Sequence, residues 1–413
     1  MRLGASGRNR KKKDHPAVMI STARQSADGR LLPLLAVTVF FVGATEFMLS
    51  SMLAPLADAF DTTPAGAAWL ISGYAVAYAI AAPVFGWLSD RVDRGRLLLT
   101  GLLLFALDGL AIVLAPTLGV AVALRIFGGI ASAILIPTSF ALIAEVIPRD
   151  RQAGAMGLVM LGMTAGIAFG PAMAGIATDL IGWVAPFVIT AAGCAMVFVI
   201  GRRRLPGHAP AAARRAEGTG WSWLRSPSIL RPLIAKGAWN GTGVAAFLLS
   251  GEVLRLRYGF GPAAVGVSVA AFGLGLGLGN LSAGRLRRLF GREELVLVLV
   301  TLVLGLTVTL FMAWSLPLWA ALLCLAAWGA ALGTGAPAAT VVLATRAGPD
   351  KGMVLAVAET LNNVAILAAV PLATTRLAET GPAGAMIVLA AGLSVGLVLT
   401  LADLRWRRGA SAG

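Results

Sequence analysis

Gly86-Trp87-Leu88-Ser89-Asp90-Arg91-Val92-Asp93-Arg94-Gly95-Arg96 is a short, strongly charged turn set between two long apolar runs, 67–88 and 97–115. About 20 mostly apolar residues carry a helix across the hydrocarbon of a bilayer, so each run has the length of one crossing. Outward from this turn the pattern repeats in both directions. Apolar spans at 32–55, 67–88, 97–115, 118–146, 153–178 and 183–201 precede a polar stretch, and spans at 232–253, 262–284, 294–313, 317–344, 352–377 and 382–403 follow it. The polar stretch, 202–231, holds Arg202, Arg203, Arg204, Arg214, Arg215, Arg225 and Arg231 among Pro, Gly and Ala. The expected architecture is an all-α membrane protein with twelve transmembrane helices in two pseudo-symmetric six-helix bundles. Its parts are a basic tail at 1–31, bundles at 32–201 and 232–403, a linker at 202–231 and a short tail at 404–413.

Composition agrees. Of 413 residues 58% are hydrophobic and 13% charged, about half the ~25% charge content of a soluble domain. Fifty glycines suit close helix packing in lipid. The net charge of +15 would suit nucleic acid if it were clustered on a folded surface, but it lies in alternate loops. Arg91–Arg96, Arg149–Arg151, the linker, Arg285–Arg292, Arg346–Lys351 and Arg405–Arg408 are basic. The intervening loops carry only Arg255, Arg257 and Arg376, beside Asp58, Asp61, Asp179, Glu252 and Glu379. Basic loops stay on the cytoplasmic side, and an even number of spans returns both termini there. A bacterial cytoplasmic membrane is the expected location, with the lipid bilayer as partner and no nucleic acid.

The first thirty residues include Arg8-Asn9-Arg10-Lys11-Lys12-Lys13 and no apolar core before Leu31. They are expected to be a structureless cytoplasmic tail, not a secretory signal. Cys194 and Cys324 lie in separate apolar runs, and His15 and His208 in polar basic segments. No metal-ligand spacing and no intramembrane His supports an enzyme reading. No Gly-x-x-x-x-Gly-Lys-[Ser/Thr] loop is present to hold ATP, and no cofactor is expected.

Four motifs carry a resemblance to a known family. The opening turn resembles the loop signature Gly-x-x-x-Asp-Arg-x-Gly-Arg of the major facilitator superfamily, with Asp93 where the pattern has Gly. Gly157, Gly166, Gly170-Pro171 and Gly175 in the fifth span resemble the superfamily's antiporter motif, with Ala174 replacing one Gly. Arg125-Ile126-Phe127-Gly128-Gly129 in the fourth span matches its Arg-x-x-x-Gly element, and Thr45-Glu46-Phe47-Met48-Leu49 in the first resembles chloramphenicol-resistance and arabinose-efflux-type exporters. The turn's second-half echo, Gly284 to Arg292, lacks the Asp. The resemblance implies a cytoplasmic gate in which Asp90 faces the N-terminal end of the eleventh span and Arg91 and Arg94 pair with acids such as Glu145. It implies a hinge helix at Gly166, Gly170, Pro171 and Gly175, and proton coupling at Glu46 and Arg125. Read without it, the turn is an ordinary charged loop and the glycines a small-residue packing face.

An intramembrane charge is costly and needs a partner. Glu46 lies about nine residues, ~14 Å, from the outer end of its span, and Arg125 about seven residues, ~10 Å, from the outer end of its own. Similar depth makes them a candidate pair, either a proton site or a static ion pair. A cation favours the ionised carboxylate and burial the protonated one, and a balance between them lets a site load and release a proton. Arg125 is read as the one base deep inside a span. Glu359, in Ala358-Glu359-Thr360-Leu361-Asn362-Asn363, is either a second proton site or a contact for a polar or cationic substrate group, or a residue satisfied by packing against Asn or Thr. Asp108 lies mid-span in the third helix, which the resemblance makes peripheral, so a structural role is favoured, with proton coupling as the alternative. Tyr74, Trp239, Asn240, Trp328, Thr334 and Asn362 are candidate substrate contacts from their helix and side-chain type.

The implied activity is export of a small, partly apolar compound such as an antibiotic or drug in exchange for protons, by alternating access, in a monomer that is not an enzyme. A sugar or metabolite exporter of the same fold is the alternative, and a proton-coupled importer a weaker one.

Overall fold

A computed structural model describes residues 16–88, 92–205 and 222–410. No strand occurs among them. The helices are α1 (Pro16–Phe47), α2 (Leu53–Ala59), α3 (Pro64–Ala67), α4 (Trp69–Leu88), α5 (Arg94–Val113), α6 (Leu118–Val146), α7 (Arg149–Leu180), α8 (Val184–Arg204), α9 (Pro227–Tyr258), α10 (Pro262–Phe290), α11 (Glu293–Ala313), α12 (Leu318–Ala347) and α13 (Lys351–Ala410).

Among the described residues ten segments are long and apolar enough to cross a membrane. The last, Lys351–Trp406, has 56 residues, about 84 Å of helix at 1.5 Å per residue and enough for two crossings. Gly381, with φ 75° and ψ −172°, breaks it just before Pro382. α9 has the length for a crossing, 32 residues, and its Arg231, Lys236, Glu252, Arg255 and Arg257 keep it out of the apolar set. With α9 and the second limb of α13, twelve helices of membrane-spanning length follow one another. Large apolar side chains lie exposed along α5 (Leu103, Leu107, Leu110), α8 (Val188, Met196, Val199) and α11 (Leu299, Leu302, Leu306). Such stripes are a liability in water and the normal outer surface in lipid.

Helix starts follow local chemistry. Asp93, the departure from the loop signature, is the N-cap of α5, its Oδ1 accepting from the Arg96 N–H at 2.6 Å. Thr117 caps α6 in the same way through Val120. Two differences from the sequence reading concern α1. The helix begins at Pro16, so the tail expected to be structureless to residue 31 is helical from there on; Pro costs nothing in a first turn. The first span is also not continuous to residue 55. α1 stops at Phe47, a 3-10 turn covers Met48–Ser51, and α2 resumes at Leu53. Ser50 Oγ donates to the Phe47 carbonyl at 2.8 Å, and Ser51 Oγ lies 3.0 Å from the carbonyls of both Met48 and Pro171. Serine hydroxyls thus satisfy backbone acceptors where the helix tightens.

α7 joins the two halves of the chain. A Cβ on Gly162 or Gly166 would overlap the carbonyl of Ala36 or Phe40, and one on Gly170 would stand 2.6 Å from Ala44 Cα, so this stripe lies directly on α1. On another stripe, a Cβ on Gly175 would overlap the Pro262 carbonyl, and α10 returns the contact with Gly266 on Pro171 and Gly273 on Ala168. Small residues at these positions let backbones meet. The Gly273/Gly277 stripe of α10 faces α7, whereas Gly275 and Gly279 lie on Ala326 and Ala330 of α12.

Candidate functional site

Below, the basic face is the end of the bundle that carries Arg94, the linker flanks and Arg346; the opposite face is the other end. Between the two faces, α1, α5, α6, α9 and α13 carry charged residues inside the bundle.

Arg125 on α6 is 1% exposed. The carboxylate in ion-pair range is that of Asp108 on α5, 3.8 Å from Arg125 Nη1, with both side chains buried. Gly128 makes room for it, since a Cβ there would overlap Asp108 Oδ2. The guanidinium also lies over the Tyr74 ring, 4.7 Å from its centre, and Tyr74 in turn hydrogen-bonds Ser132 on α6. The direct partner of Arg125 is therefore Asp108, and not Glu46 as equal depth suggested. Depth along a helix says nothing of the direction a side chain takes around it, and α5 lies against α6 with a glycine between.

Glu46 is the penultimate residue of α1, next to the 3-10 turn, and keeps part of its surface accessible. Among the described residues no cation forms an ion pair with it. It lies within electrostatic reach of Arg125 in the first half and Glu359 in the second. Tyr78 of α4 is within reach of both carboxylates.

Glu359 on α13 is held by Lys236 on α9, Nζ to Oε1 at 2.6 Å, the Lys side chain 3% exposed and the Glu 45%. Lys236 went unread in the sequence, where Arg125 stood as the one deep base. A span starting at residue 232 puts Lys236 near a membrane edge, where a lysine snorkels. The helix starts at Pro227, so Lys236 lies nine residues, about 14 Å, along it. One turn further on, Asn240 donates to Asn362 Oδ1 at 2.6 Å, which unites two candidate substrate contacts in a buried pair. Thr360 Oγ1 reaches the Ala79 carbonyl of α4 at 3.0 Å, and Asn280 of α10 reaches Thr164 of α7 at 3.1 Å. These two hydrogen bonds cross between the halves.

Other candidate substrate contacts take packing positions. Trp239 is 1% exposed and meets Gly335 and Gly396. Trp328 is packed edge-on by Phe247, Phe272 and Phe311, and Thr334 bonds the Gly279 carbonyl of α10. Their described contacts all lie in the second half, because large aromatics there fill the spaces between helices. Tyr74, read as a substrate contact, is 3% exposed and is engaged by Arg125 and Ser132.

On the basic face Arg94 Nη1 meets Glu145 Oε2 at 3.0 Å and the Ala141 carbonyl at 3.1 Å, tying the start of α5 to the end of α6. Asp90 and Arg91 lie outside the described residues. In the second half Arg346 at the end of α12 meets Glu294 at the start of α11 at 3.0 Å, Asp403 at 2.8 Å and the Ser228 carbonyl at 2.8 Å. On the opposite face a cavity of about 330 Å³ lies between the halves, lined by Ser50, Asp58, Glu252 and Arg255 among others. At its floor Gly251 touches the Ser50 carbonyl so closely that a Cβ would overlap it.

Twelve helices of spanning length, paired helices tied at the basic face and one buried or half-buried ion pair inside each half make up the described bundle. The family model of the Major Facilitator Superfamily matches residues 35–257. The chain belongs to the Major Facilitator Superfamily. MFS-type transporter YbcL of Bacillus subtilis (strain 168), itself uncharacterized, is 26% identical over 236 residues, 54% of this chain and 60% of that one. Multidrug resistance protein B homolog of Mycobacterium tuberculosis (strain ATCC 25618 / H37Rv) is 29% identical over 187 residues, 45% of this chain and 34% of that one. The chain thus matches about a third to three fifths of the length of these relatives. The crystal structure of the nucleoside transporter NupG shares the fold, with a TM-score of 0.73 at 11% identity over 91% of this chain and 99% of that one.

Proposed function

We propose that this chain is a proton-coupled efflux transporter that exports a small, partly apolar compound by alternating access, with Glu46 as the proton carrier. The observation that carries the reading is the unequal pairing of the central charges. Arg125 and Lys236 each have a carboxylate, Asp108 and Glu359, and among the described residues Glu46 is the central carboxylate with no cation in ion-pair contact. It stands at the end of a helix segment, partly accessible, between the halves. An irregular backbone at membrane depth is tolerated where it is buried in protein or lines a cavity, and the 3-10 turn after Glu46 is such a place.

In this reading a proton entering from outside neutralises Glu46, and its release on the other side restores a negative charge beside Glu359. At the opposite face Gly251 meets Ser50 across the halves, a close approach that supports alternating contact between them. The name of the mycobacterial relative supports a drug-like substrate. The glycine stripes of α7, touching α1 on one side and α10 on the other, support rocking of the halves about that helix.

The test is a susceptibility panel in cells expressing the chain, with and without an uncoupler. Raised tolerance to one or more apolar compounds, lost with the uncoupler, is expected. Tolerance unchanged across the panel, or insensitive to the uncoupler, contradicts the reading.

A further inference from the structure

The second ion pair has a use that the carrier role of Glu46 does not cover. Glu359 resembles Glu46 in several respects that favour proton exchange. It is a carboxylate on an interior helix, its side chain is 45% exposed, and it lies within electrostatic reach of Glu46 across the meeting of the halves. Two such groups would make two proton sites. The groups that face Glu359 are Lys236 from α9, Glu46 from α1 and Tyr78 from α4. Those that face Glu46 are Arg125 from α6, Tyr74 and Tyr78 from α4, and Glu359. Of these only Lys236 is a cation in contact with a carboxylate of the pair. Its side chain is 3% exposed. A buried ammonium that loses its counter-charge is strongly disfavoured, so protonating Glu359 would strand it.

We infer that Lys236 is a coupling-determining residue, clamping Glu359 as a permanent anion so that the central site exchanges one proton per cycle, at Glu46. The inference rests on the carrier role of Glu46 proposed above. With all five groups ionised, Glu46, Asp108 and Glu359 against Arg125 and Lys236, the cluster carries one net negative charge, and one proton on Glu46 brings it to zero. Without the lysine the count is two negative charges, and neighbouring carboxylates within reach of each other do not both stay ionised. Glu359 then becomes a second proton site.

The experiment is an infrared titration of the purified full-length chain in lipid, following the protonated-carboxyl band between about pH 5.5 and 9, a window above the ordinary range of exposed carboxylates. Wild type should show one titrating carboxyl, lost in Glu46→Gln and retained, titrating at lower pH, in Glu359→Gln. Lys236→Met should show a second carboxyl, removed by adding Glu359→Gln. Lys236→Arg, which keeps the cation, should restore the single band. A Lys236→Met protein with one band, or a wild-type band lost in Glu359→Gln, overturns the inference. The second of these arms stands even where Lys236→Met does not fold. A wild-type band that persists in both Glu46→Gln and Glu359→Gln contradicts the carrier role instead, and so separates the two failures.

Discussion

Among the described residues, the charges at the middle of the spans come as two pairs, Arg125 with Asp108 and Lys236 with Glu359, and one acid, Glu46, outside them. Arg125 and Asp108 are both buried, and removing one partner of a buried pair leaves the other uncompensated, at about 3–5 kcal/mol. Arg125→Gln alone should therefore lower the thermal unfolding temperature markedly, as should Asp108→Asn. The double variant should lose less than the sum, because no uncompensated charge is left. Additive losses in a thermal-shift assay would show that the two do not form a pair. The sequence reading named four of the five charges because an ionisable residue inside an apolar run stands out. It could not name the pairs, because pairing depends on direction around the helix: Gly128 opens the path between Arg125 and Asp108, and nothing in the spacing of Glu46 and Arg125 excludes their contact. Lys236 was hidden by a helix start drawn five residues late. Extending the span back to Pro227 would have moved it from the membrane edge to mid-depth.

Among the helices, α7 shows most directly how sequence becomes packing. The stripe Gly162, Gly166, Gly170 repeats every four residues, and each glycine meets backbone of α1. Gly157 has nothing within 4 Å of a built Cβ. Gly166→Ala should force α1 and α7 apart and cost both stability and transport, while Gly157→Ala should change stability by no more than about 0.5 kcal/mol. Equal stability of the two variants would remove the stripe's role. Gly175→Ala lies at the contact with α10 between the halves, and is expected to slow transport more than it lowers stability. The periodicity was visible as a small-residue face, but which neighbour each stripe touches was not. The ties at the basic face add an element that spacing concealed. Arg94 at the start of α5 pairs with Glu145 at the end of α6, and Glu294 at the start of α11 pairs with Arg346 at the end of α12. Third and fourth helices of each half are joined alike, with the charges exchanged. The degenerate second-half loop hides this echo, because the basic partner has moved from the third helix to the fourth.

For the molecule as a whole, span count and loop charge are legible in the sequence, since hydrocarbon thickness fixes the one and membrane insertion the other. The break after Phe47 was not, because Glu46 to Ser51 contains neither Gly nor Pro and only the serine hydroxyls accommodate the tighter turn. Orientation is open to a direct check. In a background lacking Cys194 and Cys324, a cysteine at Leu180, 77% exposed near the opposite face, should react with an impermeant thiol reagent in intact cells. One at Leu289, also 77% exposed but near the basic face, should react only after lysis. The reverse pattern would turn the molecule over in the membrane. In the proposed cycle the open carboxylate of Glu46 carries the proton that drives export. The most direct measurement is uphill movement of a compound identified by the susceptibility panel, in proteoliposomes under an imposed pH gradient, with binding measured separately. Wild type should accumulate the compound against its gradient. Glu46→Gln should bind it and fail to accumulate it, and Glu46→Asp should retain part of the activity with a changed pH profile. Uphill accumulation by Glu46→Gln at the wild-type rate would contradict the claim.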